Sequence, residues 1–217
     1  QTFYGLEPLT AGELDQLGAK NIKMLNRAVR FEGGKEMLYK ANLYLRTALR
    51  VLKPLMSFKT NGEKTLYEAV RKWEWDNLIP LDATFAVNSS VHSQHFNHSK
   101  YAALKVKDAI ADYFMDTYGK RPDVAPKAPD YQFHIHIAGE EATLSLDSSG
   151  EPLFKRGYRE QAHHAPLNEN IAAALVYHSG WEGEGNLVDP MCGSGTIPIE
   201  AALLASRTPP GLLRDTF

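Results

Sequence analysis

Asp189-Pro190-Met191-Cys192-Gly193-Ser194-Gly195-Thr196 decides the fold of the C-terminal part of this chain. It follows Asn186-Leu187-Val188, an apolar run with the pattern of a buried strand, and precedes residues 197–206, rich in Ala and Leu, with the pattern of a helix. Gly193 and Gly195 allow positive φ and close approach of the backbone to a ligand. The first amides of the following helix carry partial positive charge and favour a carboxylate or phosphate. Strand, glycine turn and helix start together predict a nucleotide-type binding corner.

Exclusion narrows the ligand. A phosphate-cradling P-loop ends in Gly-Lys-Ser/Thr, but Thr196 follows Gly195 directly and no lysine separates Gly193 from the helix. The dinucleotide fingerprint G-x-G-x-x-G fits Gly193 and Gly195, yet its third position falls on Pro198. The acidic residue at the right distance, Asp215, lies in a Pro/Gly-rich tail with no strand before it. A triphosphate and NAD are both disfavoured. The eight residues resemble the first motif of the class I S-adenosylmethionine-dependent methyltransferases, in the form found in enzymes that methylate exocyclic amines of nucleic-acid bases. The resemblance implies S-adenosyl-L-methionine as cofactor, held by Asp189, Gly193, Ser194, Gly195 and Thr196, with Pro166 from the segment before the domain.

The 217 residues are 43% apolar and 10% aromatic, enough for one large packed domain or two to three small ones. No apolar stretch approaches the length of a membrane span, and the first twenty residues lack a basic region followed by an apolar core. The single cysteine, Cys192, forbids an internal disulfide, so a reducing cytoplasm is the expected compartment. Net charge is −2 but unevenly spread. Residues 20–59 hold ten Lys/Arg against Glu32 and Glu36, whereas residues 140–217 hold eleven acidic against five basic side chains. The two ends therefore differ in electrostatic role.

Along the chain, the patterns predict a helix over 5–18, a strand pair over 22–31, a helix over 35–47 and a strand over 50–58. Asn61-Gly62 punctuates. A helix over 63–78, a strand over 84–91 and a long amphipathic helix over 99–118 come next, the last with Ala102, Val106, Ala109, Ile110, Tyr113 and Phe114 at helical spacing. Pro122, Pro126 and Pro129 make 120–129 a loop, and 131–138 with 142–147 form a hairpin split at Gly139-Glu140-Glu141. Residues 150–166 have the composition of a linker, and 168–179 that of the helix before the cofactor strand.

Thr84-Phe85-Ala86-Val87, with His98-Ser99-Lys100-Tyr101-Ala102-Ala103-Leu104-Lys105-Val106-Lys107-Asp108-Ala109-Ile110, resembles the core of a THUMP domain, an RNA-binding module of RNA-modifying enzymes. Leu153-Phe154-Lys155-Arg156-Gly157-Tyr158-Arg159 and Ala165-Pro166-Leu167-Asn168-Glu169 resemble the segment that joins THUMP to a methyltransferase domain. The order of blocks is similar to that of the bacterial 23S ribosomal RNA guanine-N2 methyltransferases, whose genes often carry an adenine-specific DNA methylase label. The implied fold is α/β (α+β): a ferredoxin-like unit over 1–60, THUMP over 61–150, a linker over 151–166, and the first βα unit of a Rossmann-like methyltransferase domain over 167–217. Structured RNA, 23S ribosomal RNA above all, is the implied partner. Its phosphates require basic contacts, and Lys100, Lys105, Lys107, Arg46, Arg50 and Lys53 are the candidates.

His92, His95 and His98 recur by threes but lack accompanying Cys or acidic ligands and cross a strand-to-helix junction, so no metal is expected. His134 and His136 alternate on a strand, and His163-His164 sit in the linker, within reach of RNA. A base-amine methyltransferase also needs an Asn/Asp-Pro-Pro-Phe/Tyr clasp for the flipped base. Thr208-Pro209-Pro210-Gly211 lacks both the polar first residue and the aromatic, and is expected to be a surface turn. No catalytic residue is therefore assigned. The chain has the pattern of the N-terminal part of a larger enzyme and by itself is expected to transfer no methyl group. The alternatives are a stand-alone RNA-binding module with a vestigial methyltransferase segment, or an adenine-N6 DNA methylase.

Overall fold

The computed structural model describes residues 1–96, 98–159 and 166–214. It divides into two compact units, one made of Gln1–Val51 with Ser148–Phe217 and the other of Leu52–Asp147. In the first unit α1 (Glu7–Gln16) leads into an antiparallel pair, β1 (Lys20–Leu25) and β2 (Ala28–Glu32), and α2 (Lys35–Tyr44) follows. Arg27 takes the turn between the strands at φ +57°, and its amide donates to Glu7 Oε1 at 2.8 Å. Leu14, Met37, Ala41, Leu45, Ala48 and Val51 form the core here, joined by Leu153 from the far end of the chain.

The second unit is a five-stranded sheet with helices supplying its core. Its elements are β3 (Leu52–Lys59), α3 (Glu63–Arg71), β4 (Thr84–His92), α4 (Ser99–Tyr118), β5 (Asp123–Val124), β6 (Tyr131–Ala138) and β7 (Glu141–Asp147). The strand order is β3-β7-β6-β4-β5, with β4 parallel to β5 and β6 and the remaining pairs antiparallel. Along β6, Phe133, Ile135 and Ile137 are buried while His134 and His136 point to the opposite face, the period-2 alternation of a half-covered sheet. From α4, Ala102, Val106, Ala109, Ile110 and Phe114 enter the same core, and Gly119 ends the helix in the left-handed region at φ +67°.

Four expectations change. The helix expected over 63–78 stops at Arg71, and a 3-10 turn, Trp75–Asn77, replaces its end. There the buried Trp75 donates from Nε1 to the Val70 carbonyl at 2.9 Å, adding to the 3.3 Å bond that carbonyl accepts from Trp73 N. The proline-rich loop contains β5, two residues long and invisible to periodicity. The strand expected over 186–188 does not form: no described strand lies alongside to take its backbone hydrogen bonds, and Val188 is 80% exposed. The segment expected to be a linker is anchored, with Leu153 and Arg156 both buried. In addition, β3 hydrogen-bonds to β7 and so lies in the second unit, although its sequence position placed it with the first sixty residues.

The first unit is completed by α5 (Glu169–His178) and α6 (Thr196–Ala205). Asn168 caps α5, its side-chain oxygen accepting from Asn170 N at 2.9 Å. No helix among the described residues is long and apolar enough to cross a membrane.

Candidate functional site

The glycine loop reaches α6 through two left-handed residues, Gly193 at φ +52° and Gly195 at φ +77°. No side chain caps the helix, and its first main-chain bond runs from Ile199 N to Gly195 O at 3.0 Å. The amides of Thr196 and Ile197 precede that bond, while Pro198 has no N–H to offer. Asp189 shapes the loop's entry by accepting from Met191 N at 3.1 Å, and Gly195 N donates to Cys192 O at 2.7 Å. Met191 and Cys192 are exposed, Thr196 is buried, and the Ser194 and Thr196 hydroxyls lie 3.3 Å apart. The loop is a donor-rich corner open on one side, which fits a carboxylate-bearing ligand.

Arg159 ties this corner to the start of α5. Its Nη1 donates to Ser194 Oγ at 3.3 Å, and its Nη2 donates to Thr196 Oγ1 at 2.9 Å and to Leu167 O at 2.9 Å. Its Nε donates to the buried Glu169 carboxylate. A cavity of about 360 Å³ lies beside it, lined by Phe154, Arg156, Arg159, Pro166, Leu167 and Glu169. Pro166, an expected cofactor residue, is thus exposed in a wall that shares Arg159 with the loop. Sequence reasoning gave Arg159 and Glu169 no role. Both fall in the blocks that resemble the segment before a methyltransferase domain, but nothing in those blocks distinguishes them from an ordinary basic patch and an acidic first turn.

Behind the loop, Glu200 on α6 is buried and meets Arg156 Nε at 3.4 Å and Tyr158 Oη at 3.1 Å. Burial first, then the negative charge of Glu200, pushes the Tyr158 phenol well above the usual tyrosine range. Tyr158 therefore acts as a neutral hydrogen-bond donor.

The six basic candidates for RNA separate. Lys100 and Lys53 are exposed. Lys105 is half-buried, its Nζ 5.2 Å from the centre of the Tyr101 ring, and Lys107 pairs with Asp108 at 3.0 Å. Arg50 donates to Gly150 O at 3.0 Å. Arg46 is a correction: it is 7% exposed, and its Nη2 donates to Leu203 O at 3.0 Å and Thr208 O at 2.7 Å. A guanidinium committed to internal carbonyls is not presented to a phosphate. Thr208-Pro209-Pro210-Gly211 is likewise no surface turn, since Pro210 and Gly211 are buried and Gly211 N donates to Leu43 O at 2.9 Å.

His134 Nε2 and His136 Nδ1 both meet Ser90 Oγ, at 2.9 and 2.8 Å, and burial with nearby His92 lowers the His136 pKa. Among the described residues no group of three His, Cys, Asp or Glu gathers as metal ligands. His163-His164 and Asp215 lie outside the described residues.

Fold and loop together define a mixed α/β chain in which a five-stranded sheet unit precedes a double-glycine turn into a helix N-terminus. Residues 1–52 match the RlmL ferredoxin-like domain, 61–147 the THUMP domain, and 156–217 the RMKL-like methyltransferase domain. The three matches follow one another along the chain in the domain order of a THUMP methyltransferase. Among solved structures, it is similar to a predicted N6-adenine-specific DNA methylase from Listeria monocytogenes, with 34% identity, a TM-score of 0.86, and coverage of 99% of this chain and 56% of that one. It is similar also to a protein assigned as a methyltransferase and complexed with SAH, at 33% identity and TM-score 0.84, covering 99% of this chain and 57% of the other. TrmN from Thermus thermophilus matches at 25% identity and TM-score 0.68, over 94% of this chain and 60% of its own. The chain thus spans somewhat over half the length of these relatives.

Proposed function

We propose that this chain is the RNA-docking part and the first cofactor-binding segment of an S-adenosylmethionine-dependent methyltransferase acting on a base exocyclic amine, guanine N2 of 23S ribosomal RNA. The observation that carries the reading is the presence, in one chain, of a THUMP domain and a left-handed double-glycine turn into a helix N-terminus. Gly193 and Gly195 keep the backbone close to the methionine part of the cofactor, the amides of Thr196 and Ile197 receive its carboxylate, and the Ser194 and Thr196 hydroxyls line the approach. When bound, the cofactor supplies an electrophilic methyl on a sulfonium. Lys100 and Lys53 supply phosphate contacts in this reading, and their exposure supports it. DNA adenine as substrate is the second reading, and what favours it is the methylase assignment of the Listeria structure.

The test is transfer of labelled methyl into unmodified 23S ribosomal RNA by the full-length protein that carries this chain, with duplex DNA as the competing acceptor. Incorporation into RNA alone supports the proposal; incorporation into DNA alone transfers it to the second reading. Gly193→Val should weaken S-adenosylmethionine binding at least ~100-fold, because a β-branched residue resists φ +52° and crowds the ligand. Unchanged affinity on folded variant protein would mean the loop is only a turn.

A further inference from the structure

The guanidinium of Arg159 is held in one orientation by four acceptors from two segments: Leu167 O and Glu169 at the start of α5, and Ser194 and Thr196 in the glycine loop. A guanidinium has five N–H groups. Nε is used by Glu169, both hydrogens of Nη2 by Leu167 O and Thr196 Oγ1, and one hydrogen of Nη1 by Ser194 Oγ. One Nη1–H has no partner among the described residues. It belongs to a group that already touches the two loop hydroxyls beside the helix N-terminus, and the Arg159 side chain keeps 25% of its surface open against 7% for Glu169. A fixed, partly open cation with a donor that is unpartnered among the described residues, next to helix amides that are likewise unpartnered among them, is matched to a ligand carboxylate, which accepts charge-assisted hydrogen bonds from such forks.

We propose that Arg159 reads the carboxylate of the cofactor's amino-acid moiety, with Glu169 as the positioning residue that sets its fork. This inference rests on the S-adenosylmethionine reading above. It goes beyond that reading by assigning the discrimination between an amino-acid-bearing nucleoside thioether and the same nucleoside without the amino acid to one side chain outside the glycine loop. Ser194 and Thr196 then have a second task, holding the guanidinium as well as lining the approach.

The experiment compares S-adenosylhomocysteine with 5′-methylthioadenosine, which keeps the adenosine and thioether but lacks the amino acid, by calorimetry on the full-length protein carrying this chain. Arg159→Gln should weaken S-adenosylhomocysteine about 10- to 100-fold, the range for one charge-assisted hydrogen bond, and change 5′-methylthioadenosine by less than about twofold. Arg159→Lys, which keeps the charge and loses the fork, should recover part of that loss, and Glu169→Gln should give a smaller loss confined to the same ligand. Equal losses for both ligands, in Arg159→Gln or in Arg159→Lys, would overturn the proposal, because they would mean that Arg159 only maintains the fold. Unchanged S-adenosylhomocysteine affinity would overturn it as well. If the unmutated protein binds 5′-methylthioadenosine and S-adenosylhomocysteine equally well, the carboxylate is not read and the proposal fails while the nucleoside reading survives. If it binds neither, the S-adenosylmethionine reading falls and takes this inference with it.

Discussion

The sheet unit of residues 52–147 and the segment 148–214 are built by different means. In the sheet unit the stabilising set is apolar and continuous: Leu66, Val70, Phe85, Val106, Ile110, Phe114, Phe133, Ile135 and Leu144 close one core between strands and helices. The later segment has no strand of its own among the described residues and is fastened to the first 51 residues largely by polar side chains that seek main-chain carbonyls. Arg156 Nη2 and Asn170 Nδ2 both donate to Arg46 O, and Asn170 also donates to Ala48 O at 2.8 Å, while Arg46 returns the bond to Leu203 O and Thr208 O. An apolar core tolerates gradual change in volume. A web of buried donors fails when one member is removed, because the partners it leaves are desolvated and unpaired.

The largest effect should therefore come from Arg156→Ala. It removes bonds to Leu153 O and Arg46 O at 2.6 and 2.7 Å and leaves Glu200 buried opposite a lost cation. A loss of about 3–5 kcal/mol is expected, since breaking a buried pair costs more than the pair contributes. Chemical denaturation followed by tyrosine and tryptophan signals measures it. A loss near that of an exposed salt bridge would erase the contrast drawn between the two regions.

Ile135→Val in the sheet unit should cost only about 0.5–1.5 kcal/mol, a methylene lost from a core that keeps its shape. Hydrogen exchange should place the loosening on β4, β6 and β7, the strands that pair around Ile135. Spread of the effect to α5 and α6 would contradict the division of the chain into two compact units.

The same contrast explains what was readable from sequence. Period-2 and period-3.6 patterns gave β4, β6, β7 and α4 within about a residue of their ends, because each places apolar side chains on one face and so records its environment in its own residues. The glycine loop was readable for a different reason: Gly193 and Gly195 are needed for backbone angles that other residues resist. Arg46, Arg156, Arg159 and Asn170 were misread or unread. A charged or amide side chain that turns inward to a distant partner, a carbonyl more than a hundred residues away for Arg46, Arg156 and Asn170 and loop hydroxyls 35 and 37 residues away for Arg159, has the same local signature as one that faces water, and only the tertiary partner tells them apart. The expected strand at 186–188 failed for the complementary reason, since an apolar run becomes a strand only where a neighbouring strand accepts its hydrogen bonds. The residue that reads as linker, Arg156, donates to the main-chain carbonyl of the one that reads as a phosphate contact in a basic stretch, Arg46.

The smallest expected effect concerns pH and arises in the first unit. Glu13 on α1 is buried, and burial raises its pKa even though the amides of Arg46 and Thr47, the Thr47 hydroxyl and the Tyr177 phenol all donate to it and pull the other way. A carboxyl whose folded pKa lies above its unfolded value binds its proton more readily in the folded state. Its contribution is fully present below the unfolded pKa and is lost as pH rises through the folded one. Unfolding free energy of the native protein should accordingly contain a component that declines as pH rises from about 4.5, the ordinary glutamate value. Tyr177, pushed above the usual tyrosine range by burial first and by the Glu13 charge second, remains protonated through this interval and contributes no slope. Glu13→Gln keeps one acceptor oxygen, for either the Arg46 or the Thr47 amide, and turns an NH2 donor toward the other; it cannot ionise, so it should lower stability at every pH and flatten that component while leaving the pH dependence of exchange on β6 and β7 as it was. Denaturation midpoints taken from pH 4 to 8 on both proteins test this. A native profile that rises across the whole range, with the same slope in Glu13→Gln, would mean that the hydrogen bonds outweigh burial at this carboxylate and that the first unit's polar web stabilises the charge it encloses.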